Sequence, residues 1–177
     1  MTIELRNFIL GFSMALILCF FSGMKVVHAA SWTTVGATGT INNDDLNLYE
    51  IGPSTGLLTF APNATGVFTV KYNVVPINGF NASLFRIRFR DNGAAARVVA
   101  QLKRYNLSTG VTSTVVSYDS DIHAAPQNSW QTDVVCFGHN FDVNQYAYFI
   151  NAELTRSSST GNTGLGAIQI SSSNCVP

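Results

Sequence analysis

Apolar and polar residues alternate along most of the chain. In residues 66–75, for example, Phe68 and Val70 alternate with Thr69 and Lys71. Successive side chains point to opposite faces of a strand, so this pattern predicts a strand with one buried face. Further alternating or β-branched runs predict six more strands, at residues 84–90, 97–105, 111–118, 133–137, 146–155 and 167–171.

Turn-forming residues separate these runs, at positions 91–93, 108–110 and 157–162. No helical period extends beyond one turn, and only 11% of the residues are charged, fewer than the surfaces of long helices need. Short strands divided by turns predict an all-β fold, an antiparallel β-sandwich of jelly-roll-like form. The more polar stretches, 31–45 and 120–130, are predicted to be loops at one end of the sandwich.

One stretch of the predicted β-domain has a recognisable layout. Residues 49–75 begin YEIGPSTGLLTFAP and continue, after three residues, with GVFTVKY. A Tyr before Thr-Gly, a strand containing Phe, a Pro and then Gly with an aromatic strand resembles the tumour-necrosis-factor and complement globular-head jelly roll. The resemblance implies a jelly-roll fold and, as an expectation, assembly into trimers. It assigns no site residues, because the matching positions are structural.

The beginning of the chain follows a different pattern. An unbroken apolar run of 14 residues is preceded by Arg6 and followed by a small-residue exit. The run is shorter than the ~17–25 residues of a membrane-spanning helix. It predicts a secretory signal peptide over residues 1–29, cleaved after Ala29 or Ala30, with an uncleaved anchor as the alternative. Residues 30–177 are then predicted to form one extracellular or periplasmic β-sandwich domain, without stable membrane insertion.

Charge excludes one class of partner. The chain has ten basic and ten acidic residues, and removal of residues 1–29 leaves eight and nine. The predicted mature domain therefore has a formal charge of −1 and no general basic surplus. Nucleic-acid binding usually depends on such a surplus, so nucleic acid is not an expected partner.

The cysteine count predicts a disulfide. The chain has three cysteines, and cleavage removes Cys19, leaving Cys136 and Cys175. An even number of cysteines in an oxidising compartment favours a bridge between them, with two free thiols as the alternative.

A hydrolase-like motif lies in residues 52–56, which match G-x-S-x-G around Ser54, and Asp133 and His139 follow in hydrolase order. A nucleophile elbow requires a strand, a strained turn and then a helix. Here Pro53 precedes the serine and a predicted strand follows, so we expect an ordinary turn and no catalysis. A small secreted hydrolase is retained only as a third hypothesis for function.

Metal binding has little support in the sequence. After cleavage only His123 and His139 remain, too far apart for the closely spaced histidine pair of a zinc site. Two carboxylate pairs offer oxygen ligands for a structural calcium ion: Asp44 with Asp45, and Asp119 with Asp121. Neither pair has the dense oxygen spacing of a dedicated site. We therefore expect solvated loop carboxylates and no cofactor, with structural calcium as the alternative.

Three arginines form the most unusual feature. Arg86, Arg88 and Arg90 alternate with apolar residues, so they are predicted to lie on one outward face, ~6.5–7 Å apart. The three positive charges repel one another unless other groups lie beside them. One interpretation is cross-strand pairing with residues such as Glu153, Asp133 or threonines. The other is binding of an acidic or sulfated glycan, because guanidinium groups match planar anions.

Aromatic residues near predicted strand ends suggest a second kind of site. Trp130, Tyr118 and Trp32 could offer flat rings on which sugar rings stack, although such residues also fill cores. Together these features favour a secreted, non-catalytic protein that binds extracellular carbohydrate. The alternative is a structural or self-assembling surface protein, suggested by the low charge and high apolar content.

Overall fold

Two antiparallel sheets make up the part of the chain that the structure, a computed structural model, describes: residues 31–52 and 54–175. The predicted signal peptide, residues 1–29, lies outside the described residues. The strands are β1 (Ser31–Val35), β2 (Thr40–Ile41), β3 (Tyr49–Ile51), β4 (Leu58–Phe60), β5 (Gly66–Val74), β6 (Asn81–Asp91), β7 (Ala96–Asn106), β8 (Thr112–Asp119), β9 (Gln127–Asn140), β10 (Tyr146–Arg156) and β11 (Gly164–Ser171).

One sheet, here called the front sheet, has the order β3-β4-β11-β6-β9, and β1 also pairs with β11. The other, the back sheet, has the order β2-β5-β10-β7-β8. A four-residue helix, α1 (Ser120–His123), and two 3-10 turns complete the described elements. None of the helices in these residues is long and apolar enough to cross a membrane. The predicted antiparallel β-sandwich is confirmed.

The core lies between the two sheets and follows the alternation. Phe85, Ile87 and Phe89 of β6 are fully buried, whereas Arg86 and Arg88 between them are exposed. Burying one such apolar side chain contributes ~1.5–3 kcal/mol relative to leaving it exposed. A register shift by one residue would turn all three outward, so burial determines which face of β6 points away from the core.

The two predicted loop regions are partly strands. Residues 31–35 form β1, which pairs along β11 from Ser31 opposite Ser171 to Val35 opposite Ala167. Strand β9 begins at Gln127, six residues before the predicted start, and extends to Asn140. These segments are polar because they lie at the margins of the front sheet. Backbone pairing with a neighbouring strand, which local composition does not reveal, holds them extended.

A disulfide joins Cys136 to Cys175, with a Cα–Cα distance of 5.5 Å, as the cysteine count predicted. Cys136 lies on β9, opposite Leu84 of β6, and Cys175 follows the end of β11. The bridge therefore fastens the segment after β11 to the margin of the front sheet.

The carboxylates of Asp119 and Asp121 lie against Arg97. Arg97 binds Asp119 through two nitrogens, Nε at 3.0 Å and Nη2 at 2.5 Å, and its Nε lies 3.4 Å from Asp121. Asp119 also caps α1 by accepting from the Asp121 amide. Calcium was the alternative expected at these two carboxylates. The positive charge beside them belongs to Arg97. No group of three or more metal-ligating side chains is found in the described residues.

Because of this ion pair, the free energy of unfolding is expected to fall at acid pH. Hydrogen bonding by Arg97 holds the pKa of Asp119 below its ordinary value of 3.8. A lowered folded-state pKa gives stabilisation that is complete above pH ~4 and is lost as the pH falls through the folded-state value. We expect the urea midpoint to fall between pH ~5 and ~2.5, and to fall less in Asp119→Asn. Asp44→Asn, which removes an exposed carboxylate outside this ion pair, should retain the full dependence.

Candidate functional site

The arginines of β6 lie on the outer face of the front sheet. Arg86 lies between Gln169 of β11 and Val134 of β9. Arg88, two residues further along β6, lies between Ala167 and Thr132 of the same two strands. Both side chains are exposed. They line a shallow groove of about 210 Å³, whose other walls are Thr33, Thr132, Ala167 and Gln169.

Protein carboxylates do not neutralise these arginines. Among the described residues, the ion pairs within 4.0 Å are those of Arg97. Asp133 lies opposite the buried Ile87 and so faces inward, and Glu153 belongs to β10 of the back sheet. Arg86 donates instead to the neutral Gln169, at 2.8 Å. The predicted carboxylate pairing is therefore wrong for Asp133 and Glu153, because the fold places those side chains elsewhere.

Trp130 joins the arginines on this face. A register irregularity between β6 and β9 sets Trp130 beside Arg90, whose guanidinium carbon lies 5.2 Å from the centre of the indole ring. The ring edge extends over Gly164 of β11, where an added Cβ would lie 2.8 Å from the ring. Such cation–π contacts contribute about 0.5–1 kcal/mol at exposed sites and hold the ring in place. The structure therefore brings together four residues that the sequence singled out.

A row of side chains crosses the sheet at this level. Glu50 of β3 pairs with Thr59 of β4, Thr59 with Gly164, and Gly164 with Arg90. Directly paired residues share a face, so the side chains of Glu50, Thr59 and Arg90 point outward, and Gly164 leaves a gap between Thr59 and Arg90. Arg156, from the end of β10, reaches the same place and completes a cavity of about 290 Å³. We call it the Arg90–Arg156 cavity; its lining also includes Phe60, Pro62, Gly161, Asn162 and Thr163.

Both arginines in this cavity are unusual. Arg156 donates only to backbone carbonyls, those of Ala61, Ser158 and Ser159. The Nε atom of Arg90 is buried and has no hydrogen-bond acceptor. Burial, followed by the charge of Arg156, lowers the pKa of Arg90 below its ordinary value. The cavity therefore holds two positive groups, and neither forms an ion pair with a carboxylate of the described residues.

Tyr118 does not belong to this face. Its ring is fully buried and packs against Phe89 and His123, each at a centroid distance of 5.3 Å. Burial raises the pKa of its hydroxyl well above the ordinary value, and the nearby carboxylate of Asp133 adds to the effect. Trp32 is half-buried against the core edge. Trp32 pairs with the buried Ile170 of β11 and so faces inward. Neither ring lies on the face that carries the arginines, so we leave both out of the site.

Sequence reasoning did not identify Arg156, Glu50 or Gly164. Arg156 directly precedes a run of serines that predicts a turn, and this was the one available signal. Arg156 folds back onto the carbonyls of that turn, which a local pattern does not reveal. Trp130 covers Gly164 so closely that a larger residue there would touch the ring. This contact depends on the pairing of β6 with both β9 and β11.

The hydrolase-like residues are not assembled. Gly56, two residues after Ser54, has a φ of 63°, and its amide donates to the carbonyl of Gly52. The segment is therefore a tight turn. Strand β4 follows this turn rather than a helix. His139 lies in β9 within 3.2 Å of the Tyr148 hydroxyl, and no recorded hydrogen bond in the described residues joins it to Ser54.

The back sheet carries a larger, open hollow of about 760 Å³. Its lining is Thr40, Ile41, Asn42, Asn43, Asp45, Thr69, Lys71 and Asn151. This lining has no aromatic ring, one cation, Lys71, and one carboxylate, Asp45. The front face combines an aromatic ring, a defined cavity and several cations that form no ion pair with the described carboxylates, so it is the better candidate site.

Gly164 should control the position of Trp130. In Gly164→Ala, the new methyl group would meet the indole at 2.8 Å and a backbone carbonyl at 3.2 Å, so the ring must move outward. We expect a red-shifted tryptophan emission in a Trp32→Phe background and a loss of ~1 kcal/mol in unfolding free energy. Gly138→Ala is the control on β9, because an added Cβ there meets nothing within 4 Å. Unchanged emission would contradict the described packing of Trp130.

Comparison with known proteins gives structural matches only, since no family model and no curated protein sequence matches the chain. A carbohydrate-binding module of family 6 from a laminarinase of Zobellia galactanivorans is 14% identical, with a TM-score of 0.49 over 80% of this chain and 99% of that one. A family 36 module in complex with calcium and xylotriose is 15% identical, with a TM-score of 0.48 over 78% and 98%.

A family two carbohydrate esterase from Cellvibrio japonicus is 12% identical, with a TM-score of 0.45 over 84% of this chain. The chain spans 36% of that esterase. None of these three proteins is a tumour-necrosis-factor or complement head. The sandwich expected from residues 49–75 agrees with the two antiparallel sheets of the described residues.

Proposed function

We propose that the outer face of the front sheet binds an anionic polysaccharide outside the cell. The observation that carries this proposal is the set of exposed guanidinium groups on β6, next to the indole of Trp130, that have no carboxylate partner in residues 31–52 and 54–175. Arginine binds carboxylate and sulfate groups through two parallel hydrogen bonds, which gives both energy and orientation. A rigid sheet holds these groups at a fixed spacing, as repeated anions along a polymer require.

The net charge of the domain and the size of the site favour a carbohydrate polyanion over a nucleic acid. The predicted mature domain has a formal charge of −1, so the cations of the front face are local and do not reflect a basic protein. A single half-buried ring and a cavity of about 290 Å³ suit a sugar residue better than a stack of bases. Xylotriose is bound in one of the matched structures, whereas the charge of this face favours an acidic or sulfated carbohydrate.

Retention on charged and neutral resins tests the proposal. Folded protein should be retained on alginate or dextran sulfate at ~20 mM salt and released towards ~1 M salt, because the Debye length falls from roughly 20 Å to about 3 Å. Unsubstituted dextran, with the same backbone as dextran sulfate, should not retain it. The absence of retention on both anionic polymers at low salt would remove the proposal. Light scattering on the same sample would reveal self-association, the alternative drawn from the sequence.

A further inference from the structure

We propose that the Arg90–Arg156 cavity is a subsite for one anionic group, a carboxylate or a sulfate ester, carried on a single sugar ring. This inference rests on the proposed function of the front face and deepens it. The groove beside Arg86 and Arg88 would hold the polymer by charge, whereas the cavity would recognise one particular residue of it.

The first support is the unsatisfied donor of Arg90. Its Nε atom is buried and has no hydrogen-bond acceptor among the described residues. A buried donor without an acceptor destabilises the folded protein, and such groups are rare in native proteins. Arg90 lines the cavity, so an anionic oxygen placed there lies beside its guanidinium group, and a rotation of that side chain would bring Nε into hydrogen-bonding reach.

The second support is the fixed charge of Arg156. Its Nε, Nη1 and Nη2 atoms donate to the carbonyls of Ser158, Ala61 and Ser159, at 3.2, 3.2 and 2.6 Å. These acceptors are neutral, so they orient the guanidinium group without cancelling its charge. The charge is felt by Arg90, whose pKa it lowers in addition to the effect of burial. Two cations that repel one another in a partly desolvated cavity are stabilised by an anion between them.

The third support is that the cavity walls are held in place. An added Cβ at Gly161 would lie 2.2 Å from the carbonyl of Ala95, so the loop after β10 packs closely against that backbone. The Asn162 amide donates to Asn92 at 2.7 Å, and the Thr163 hydroxyl donates to the Thr155 carbonyl at 2.7 Å. A preformed site of this kind loses little conformational entropy when it binds.

The remaining lining distinguishes a sugar acid from a free inorganic anion. Glu50 lines the cavity beside Thr59 and is not within 4.0 Å of either arginine. A carboxylate repels a second negative charge, yet it accepts hydrogen bonds from hydroxyl groups. The lining therefore fits a ligand with one anionic end and several hydroxyls, and about 290 Å³ is near the lower limit for small-molecule pockets.

Titration with matched monosaccharides tests this subsite. Galacturonate and galactose-6-sulfate should each shift the Arg90 Nε–H resonance in a ¹H–¹⁵N spectrum, whereas galactose should not. Comparison of the two acids distinguishes a carboxylate site from a sulfate site. Inorganic sulfate is the third anion to be titrated, and a shift equal to that of galactose-6-sulfate would overturn recognition of the sugar.

Arg90→Met supplies the matching variant, because the buried Nε of Arg90 has no acceptor among the described residues and its removal leaves no partner there unsatisfied. Affinity for the acid monosaccharide should fall roughly tenfold or more. Arg104→Met is the control: it removes an arginine at 4.5 Å from the ring of Tyr146, away from the front face. If Arg90→Met does not fold, the wild-type resonance shift decides.

The outcomes separate this inference from the proposed function. Polymer retention without an Arg90 shift by either acid would overturn the subsite and leave the front-face function standing. An Arg90 shift without polymer retention would support the subsite and remove the polysaccharide proposal. Equal loss of affinity in Arg90→Met and Arg104→Met would show a general charge effect and would contradict the subsite.

Discussion

Reversing two charges on the front face, in Arg86→Glu/Arg88→Glu, is expected to abolish retention on anionic polysaccharide. Both side chains are exposed, and the reversal breaks no ion pair within the part of the chain that the structure describes. A hydrogen bond to a charged group contributes roughly 1.5–3 kcal/mol, so the loss of two such contacts should weaken binding about 100-fold or more. Affinity electrophoresis in gels with and without alginate measures the change.

A matched variant on the opposite face controls for net charge. Lys71→Glu/Lys103→Glu changes the formal charge by the same amount, and both lysines lie on the outer face of the back sheet. Its retention should decrease only slightly through long-range electrostatics. If this variant lost binding while the arginine variant kept it, the site would lie at the hollow lined by Lys71 instead.

Removal of the disulfide is expected to produce the largest loss of stability. The bridge connects residues 39 positions apart, and loop-closure entropy gives an upper value of about 4 kcal/mol for such a loop. Cys136→Ser/Cys175→Ser should therefore lower the melting temperature by roughly 10 °C. The β-rich circular dichroism should remain, because β9 and β11 each keep their backbone pairing with β6.

Reduction of the wild-type protein is the control for this variant. The reduced wild type and the double serine variant should melt at similar temperatures, since both lack the same covalent link. Two equivalents of free thiol in the unfolded, unreduced wild-type protein would show that the bridge does not form.

The sequence by itself determined which side chains of each strand face the same way. The alternation around Phe85, Ile87 and Phe89 predicted both the buried face of β6 and the outward arginines, because a period of two has no other low-energy arrangement in a half-buried strand. The number of cysteines left after the predicted cleavage was likewise enough to predict the bridge between Cys136 and Cys175. These properties depend on neighbours in the sequence or on counting, and a sequence records both directly.

Tertiary structure alone decided which distant residues meet. Alternation indicates that Tyr118 and Val116 share a face, yet only the packing of β8 against the other sheet shows that this face is the core. The cavity beside Arg90 likewise draws on Arg156 of β10 and on Glu50 of β3, which belong to different sheets. Pairing order and register in a sandwich come from the combined burial of many strands, so no local stretch of the sequence specifies them.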